Sequence, residues 1–224
     1  MSYKHILAAL LLICCLPAFS QIGELRNNWA IGVNGGVNLS QVSFESAVRV
    51  KEKFQLGPTF GVTARYISEK YFAMICGVQL ELNYSQRGWK EDPEEKPYTY
   101  NRVMNYLEMP FLVHLAFGKD RGAQFFVNAG PQLGYFISEK ENYGGDWEKY
   151  PYEQHGKMVE KKFDYGIVGG AGVEIRTGAG NFLVEGRYYF GLGDFFNSSK
   201  KDYFERSAHT TISAKVTYLF DITK

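Results

Sequence analysis

From Trp29 onward the chain alternates apolar and polar residues with a period of two. In residues 71–85, Phe72, Met74, Cys76, Val78, Leu80, Leu82 and Tyr84 share one face, and Ala73, Ile75, Gly77, Gln79, Glu81, Asn83 and Ser85 share the other. A helix would scatter both sets around its circumference, whereas a strand sends successive side chains to opposite faces. The same pattern recurs in residues 29–39, 55–67, 103–117, 123–138, 163–176, 182–193 and 209–222, which makes eight predicted strands. Each is long enough for the roughly 9–11 residues of a tilted membrane strand.

The connections alternate in length. Ser68–Lys70, Gly118–Gly122 and Thr177–Asn181 are short, while Ser40–Phe54, Trp89–Arg102, Glu139–Lys162 and Gly193–Arg206 are long. Short turns on one side and long loops on the other describe an all-β, eight-stranded antiparallel up-and-down transmembrane β-barrel. The short turns and both termini belong on the periplasmic side, and the long loops outside the cell. A soluble barrel would alternate too, but its polar face would be rich in Lys and Glu. Here that face is mostly Gly, Asn, Thr, Ser and Gln, which suits a narrow lumen, and Tyr66, Phe72, Phe117, Phe125, Phe182 and Phe220 cluster near the short-turn end as an aromatic girdle would.

Met1–Ser20 reads as a secretory signal: Lys4, an apolar stretch from Ile6 to Leu16, and small residues before Gln21. Residues 21–224 are then the barrel domain, placed in the outer membrane. Cys14 and Cys15 raise a lipoprotein reading, which the residues before them do not favour. Cys76 is the only cysteine after the signal, so the domain has no intrachain disulfide and no cysteine metal site.

Composition adds exclusions. No apolar run approaches the roughly 20 residues of a membrane helix, and mean hydropathy is −0.26. Lys and Arg number 25 against 24 Asp and Glu, which gives no electrostatic case for nucleic acid.

Seven charges fall on the inward face: Arg65, Glu81, Glu108, Glu174, Glu185, Arg187 and Lys215. A lumen this narrow is just filled by side chains, and an isolated buried charge is costly, so these groups must pair. Glu174, Glu185, Arg187 and Lys215 lie on three consecutive strands and are expected to meet as cross-strand neighbours. A selectivity filter or proton path is one reading; a structural salt-bridge network plugging the lumen is the one adopted. Pro58, Pro110 and Pro131 fall inside strands and predict local bulges.

Candidates for chemistry are sparse. His209 shares a face with Ser207 and Ser213, but a Ser-x-His spacing is a weak signal for the Ser–His contact an esterase needs. His114 projects inward as a lumen hydrogen-bonder, and Gly169-Gly170-Ala171-Gly172 sits within a strand, so it is no phosphate loop. No cofactor or metal is expected, and the protein is not expected to be an enzyme. The longest loop carries Tyr143, Trp147, Tyr150 and Tyr152, which are candidate binding anchors or parts of a lid over the barrel mouth.

Four motifs carry a family resemblance. Tyr106-Leu107-Glu108-Met109-Pro110-Phe111-Leu112-Val113 resembles the Leu-Glu-Ile-Pro-Leu strand of the small outer-membrane barrels abundant in Bacteroidetes, labelled porin family, PorT-like or outer membrane protein beta-barrel domain. Asn128-Ala129-Gly130-Pro131, Phe163 to Glu174 and Val184-Glu185-Gly186-Arg187-Tyr188 resemble their Ala-Gly-Pro, Gly-rich and following strands. The resemblance covers essentially the whole mature chain and implies an OmpA/OmpX-like barrel. It also implies partners: outer-membrane lipid, the barrel assembly machinery, and a surface ligand or secretion-complex protein. The expected role is structural or adhesive through the extracellular loops. A small pore or PorT-like secretion component is the first alternative, and a lipid-modifying barrel enzyme the second.

Overall fold

A computed structural model describes residues 23–46, 52–91, 98–119, 122–149, 155–196 and 204–223. The expected signal, Tyr150 and Tyr152 lie outside the described residues. The described chain forms eight antiparallel strands: β1 (Glu24–Ser46), β2 (Glu52–Tyr71), β3 (Met74–Glu91), β4 (Tyr98–Gly118), β5 (Gly122–Gly145), β6 (Phe163–Thr177), β7 (Gly180–Gly191) and β8 (Phe204–Asp221). Each pairs with its neighbours in sequence, and β1 pairs with β8 to close the barrel.

The register fixes the dimensions. Partners run from Trp29 through Tyr66, Val78, Val113, Ala129, Gly169, Tyr188 and Ile212 and return to β1 at Leu39, ten residues beyond the start. With about 3.3 Å per residue and about 4.8 Å between strands, that stagger tilts the strands by about 40°. One residue then climbs about 2.5 Å along the barrel axis, and one step to the next strand climbs about 3 Å.

These increments locate an apolar band. Trp29, Tyr66, Phe125, Phe182 and Phe220 fall within about 5 Å of one level, while Tyr84, Leu107, Leu39, Tyr165 and Phe190 fall about 20–25 Å higher. That is the height of the lipid-facing band of an outer-membrane barrel. Between the two levels the alternation holds strictly: Val62 is 55% exposed and its neighbour Thr63 2%.

Above the band the alternation inverts. On β3, β4 and β5 the outward residues become Gln86, Lys90, Asn101, Asn105 and Lys140, while Trp89, Tyr98, Tyr100, Met104 and Tyr106 are buried inside. The strands therefore run on into segments expected to be loops, such as Ser40–Phe54 and Trp89–Arg102. The cause is the solvent: below, the exterior meets lipid, and above it meets water, so apolar residues turn inward to form a second core.

Other local expectations need correction. The β2–β3 turn is Phe72-Ala73 rather than Ser68–Lys70, because β2 pairs through to Tyr71 and Phe72 adopts a left-handed φ of 52°. The β2–β3 register shifts between Phe54 and Thr59, so a bulge spans Pro58. At Pro110 and Pro131 ladder pairs are missing without any register shift, so the strands tolerate the lost donors in line.

Candidate functional site

The only sizeable concentration of buried polar chemistry among the described residues is the lumen, and it is layered. At the periplasmic end Ala30, Ile67, Ile75, Ala116, Phe126, Leu183 and Leu219 make an apolar floor. These residues occupy inward positions, so the lumen is not polar throughout.

Directly above, Arg65 of β2 grips Glu174 of β6 with two hydrogen bonds of 2.6 and 2.7 Å. These strands are four apart in a ring of eight, so the pair crosses the barrel. His114 closes the tier, with Nδ1 2.8 Å from Asn128 Oδ1. The expected grouping of Glu174 with Arg187 and Lys215 is thus wrong. Barrel stagger puts Glu174 roughly 10 Å lower than those two, at the level of Arg65.

The middle tier is built on Glu81 of β3. Arg187 of β7 crosses the lumen to donate to its two oxygens at 2.5 and 2.9 Å and donates to Glu185 at 2.7 Å. Lys215 Nζ reaches Glu81 at 2.6 Å, and Gln79 and Asn83 donate to it at 2.7 and 2.9 Å. Two carboxylates and two cations balance, and Glu81 is only 1% exposed. Gly170 makes room for this cluster: a Cβ there would lie 2.7 Å from Arg187 Cγ and from a Glu185 oxygen. The Gly-rich run serves packing as well as curvature.

Over this tier lies a narrow polar void lined by residues such as Asn38, Asn83, Gln132, Thr211 and Ser213. Arg87 roofs it, bound to Glu108 at 2.6 Å and Asp164 at 2.7 Å, with its guanidinium 4.3 Å from the Tyr189 ring centre. Tyr106 and His209, again on opposite strands, meet at 3.1 Å.

Above the lipid band an aromatic dome fills the mouth. Trp89, Tyr98, Tyr100, Phe195 and Phe196 form its core. Arg102, fully buried, lies 5.4 Å from the Trp89 ring centre and pairs with Glu139 and with Glu141, the latter at 3.0 Å. Trp89 donates to Glu91 at 3.1 Å, and His155, 3.0 Å from Glu91, stacks on Tyr100. The β7–β8 connection supplies Phe195 and Phe196, tied down by backbone bonds from Glu160 and Lys161 to Phe195 and from Phe196 to the Ser207 hydroxyl. Of the expected loop anchors, Tyr143 and Trp147 meet with tilted rings, 4.4 Å between centres, and pack half-buried against the dome. Burial and the adjacent Glu141 carboxylate push the Tyr143 hydroxyl up to about 12, so it stays a neutral donor.

Ser207, Ser213 and His209 take different partners: the Ser207 hydroxyl accepts from Phe196, Ser213 donates to Asn38, and His209 faces Tyr106. No cluster of possible metal ligands occurs among the described residues. Sequence reasoning missed Arg87, Arg102, Asp164, Glu139 and Glu141. Extending the inward parity of 71–85 by two residues reaches Arg87, and running the parity of 103–117 back reaches Arg102.

Comparison with known proteins agrees with this architecture. The sequence matches the family described as outer membrane protein beta-barrel domain over residues 19–197. The chain belongs to that family. Its place is therefore the outer membrane. Among solved structures, this barrel is similar to the outer membrane protein OprG from Pseudomonas aeruginosa, with a TM-score of 0.50 and 12% identity, over 88% of this chain and 98% of that one. Neisserial surface protein A (NspA) gives 0.41 and 11% over 85% and 99%. Ail, the attachment invasion locus protein of Yersinia pestis, gives 0.38 and 13% over 87% and 100%. At these identities the likeness to OprG speaks for fold alone. No curated protein matches by sequence.

Proposed function

We propose that this outer-membrane barrel acts as a closed scaffold whose extracellular rim is its working surface, in a structural or adhesive role. One observation carries the reading: floor, cross-barrel pairs and dome obstruct the lumen at successive heights, leaving the rim as the part open to other molecules outside the cell. The reading includes no catalysis and no cofactor, supported by the different partners that Ser207 and His209 take, and assembly by the barrel assembly machinery. The expected result is that purified protein in planar bilayers gives no discrete conductance steps. Reproducible single-channel openings would overturn it.

The four strand motifs that resemble the PorT-like barrels of Bacteroidetes favour a second reading, a non-conducting member of a secretion complex. Its mark is co-purification of secretion-machinery proteins with the detergent-extracted barrel.

A further inference from the structure

Beneath the apolar floor the barrel opens toward the periplasm in a cleft of about 480 Å³. Arg176 of β6, Asn181 of β7, Asp221 of β8 and Asn28 of β1 line it. Because β8 closes on β1, these are four consecutive strands of the ring. By the axial increments derived above, the four residues fall within about 3 Å of one level, that of Trp29. One inward position above Asn28, Asn181 and Asp221, on the same strands, stand Ala30, Leu183 and Leu219 of the floor. The cleft is therefore approached from the periplasmic side.

Its charges stand apart. Deeper in the lumen Arg65 grips Glu174 at 2.6 Å, whereas Arg176 lies 3.8 Å from Glu174 and 4.0 Å from Asp221. Both Glu174 oxygens are already bonded to Arg65. Arg176 donates no hydrogen bond to any described residue, and its nitrogens are open to the cleft. Asp221 accepts from the fully buried Asn181 through Oδ1, at 2.8 Å, which leaves Oδ2 turned to Arg176. The Asn28 side-chain amide is likewise open and makes no hydrogen bond to a described residue. The frame around these groups is tied down. Thr177 donates to Gly180 at 2.7 Å across the β6–β7 turn, Tyr218 donates to Ala179 at 2.7 Å, and the Thr223 hydroxyl accepts from the Trp29 N–H beside Asn28 at 2.8 Å. A cation and an anion side by side, each with unused hydrogen-bonding capacity, complement a ligand that carries the opposite pair. A lone carboxylate would meet repulsion from Asp221, and a lone amine from Arg176. The planar guanidinium fork suits a carboxylate.

We propose that this periplasmic mouth binds a zwitterionic α-amino-acid group, its carboxylate held by Arg176 and its ammonium by Asp221 Oδ2 and the Asn28 amide oxygen. A free amino acid carries that group, and so does the unlinked end of a diamino acid in a cell-wall peptide. The proposal is independent of whether the extracellular rim is adhesive, because the cleft lies at the opposite end of the barrel.

The test uses the full barrel in phosphatidylcholine nanodiscs at neutral pH and equilibrium dialysis against two labelled probes, alanine and a soluble cell-wall peptide with a free diamino-acid end. At least one probe binds saturably with one site per barrel; tighter binding of alanine assigns the site to free amino acids, and tighter binding of the peptide to the cell wall. Blocking either charge of the bound probe, by N-acetylation or by conversion of the carboxylate to an amide, weakens binding by about tenfold or more. Arg176→Gln and Asp221→Asn each weaken it to a similar degree, while Lys119→Gln at the β4–β5 turn leaves it unchanged. The blocked probes need no variant, so the proposal stays testable if a variant misfolds. Absence of saturable binding by both probes would overturn it. So would equal binding of the blocked and unblocked forms, or a folded Arg176→Gln barrel that binds like the wild type.

Discussion

Replacing Glu81 with glutamine lowers the unfolding free energy of the barrel by about 3–5 kcal/mol, the cost of leaving buried charge without its partner. Glu81 accepts from Arg187, Lys215, Gln79 and Asn83 at once. The glutamine keeps the volume but removes the charge, so two cations in the middle of the membrane share Glu185 alone. Its amide also points a donor at groups that themselves donate. Glu185→Gln costs less, because Arg187 and Lys215 keep Glu81. Urea unfolding in phospholipid vesicles, read by tryptophan fluorescence and by gel mobility with and without boiling, ranks the two variants. A Glu81→Gln cost below about 1 kcal/mol would show that water, not protein, solvates this cluster.

Trp89→Ala dismantles the dome while sparing the membrane-embedded barrel. The side chain is fully buried, stacks on Phe195 at 6.0 Å between ring centres and covers Arg102. Truncating a buried aromatic costs about 3–5 kcal/mol. Here the loss falls on a core above the lipid band, held by few elements. The expected consequence is local opening: residues 192–196 become cleavable by protease added outside intact vesicles, while the strands within the lipid band stay protected. Unchanged protection of that segment would mean that its own backbone bonds, from Glu160 and Lys161 to Phe195, suffice without the tryptophan.

Strand number, antiparallel order and the lipid-facing face were legible in the sequence because lipid outside and packed polar groups inside impose one uniform pattern between the aromatic levels. Legibility ended where the outer solvent changed. Trp89, Tyr98, Tyr100, Met104 and Tyr106 continue the strands, yet their apolar character sits on the face that is polar below. The inversion therefore resembles the end of a strand. The lumen charges were legible as a set, since any inward charge in so narrow a barrel must pair. Their pairing was not, because it depends on stagger: Arg65 with Glu174 and Arg187 with Glu81 meet across the barrel, not along adjacent strands. Proline behaviour was illegible for a related reason. Pro58 coincides with a register shift and Pro110 does not, and nothing in either local sequence distinguishes them.

The central claim is that one side of each strand faces lipid and the other a packed lumen, with the polarity of the outer side changing above the band. A cysteine scan of β3 in a Cys76→Ala background tests it most directly. Fluorophores attached at residues 78–90 are challenged with lipid-borne and water-borne quenchers in vesicles. Labels at Val78, Leu80, Leu82 and Tyr84 should respond to the lipid-borne quencher alone, cysteines at Gln79, Asn83 and Ser85 should resist labelling in the folded state, and labels at Gln86 and Lys90 should respond to the water-borne quencher. Ready labelling and aqueous quenching at residues 79, 83 and 85, or no alternation along the strand, would contradict the closed membrane barrel described here.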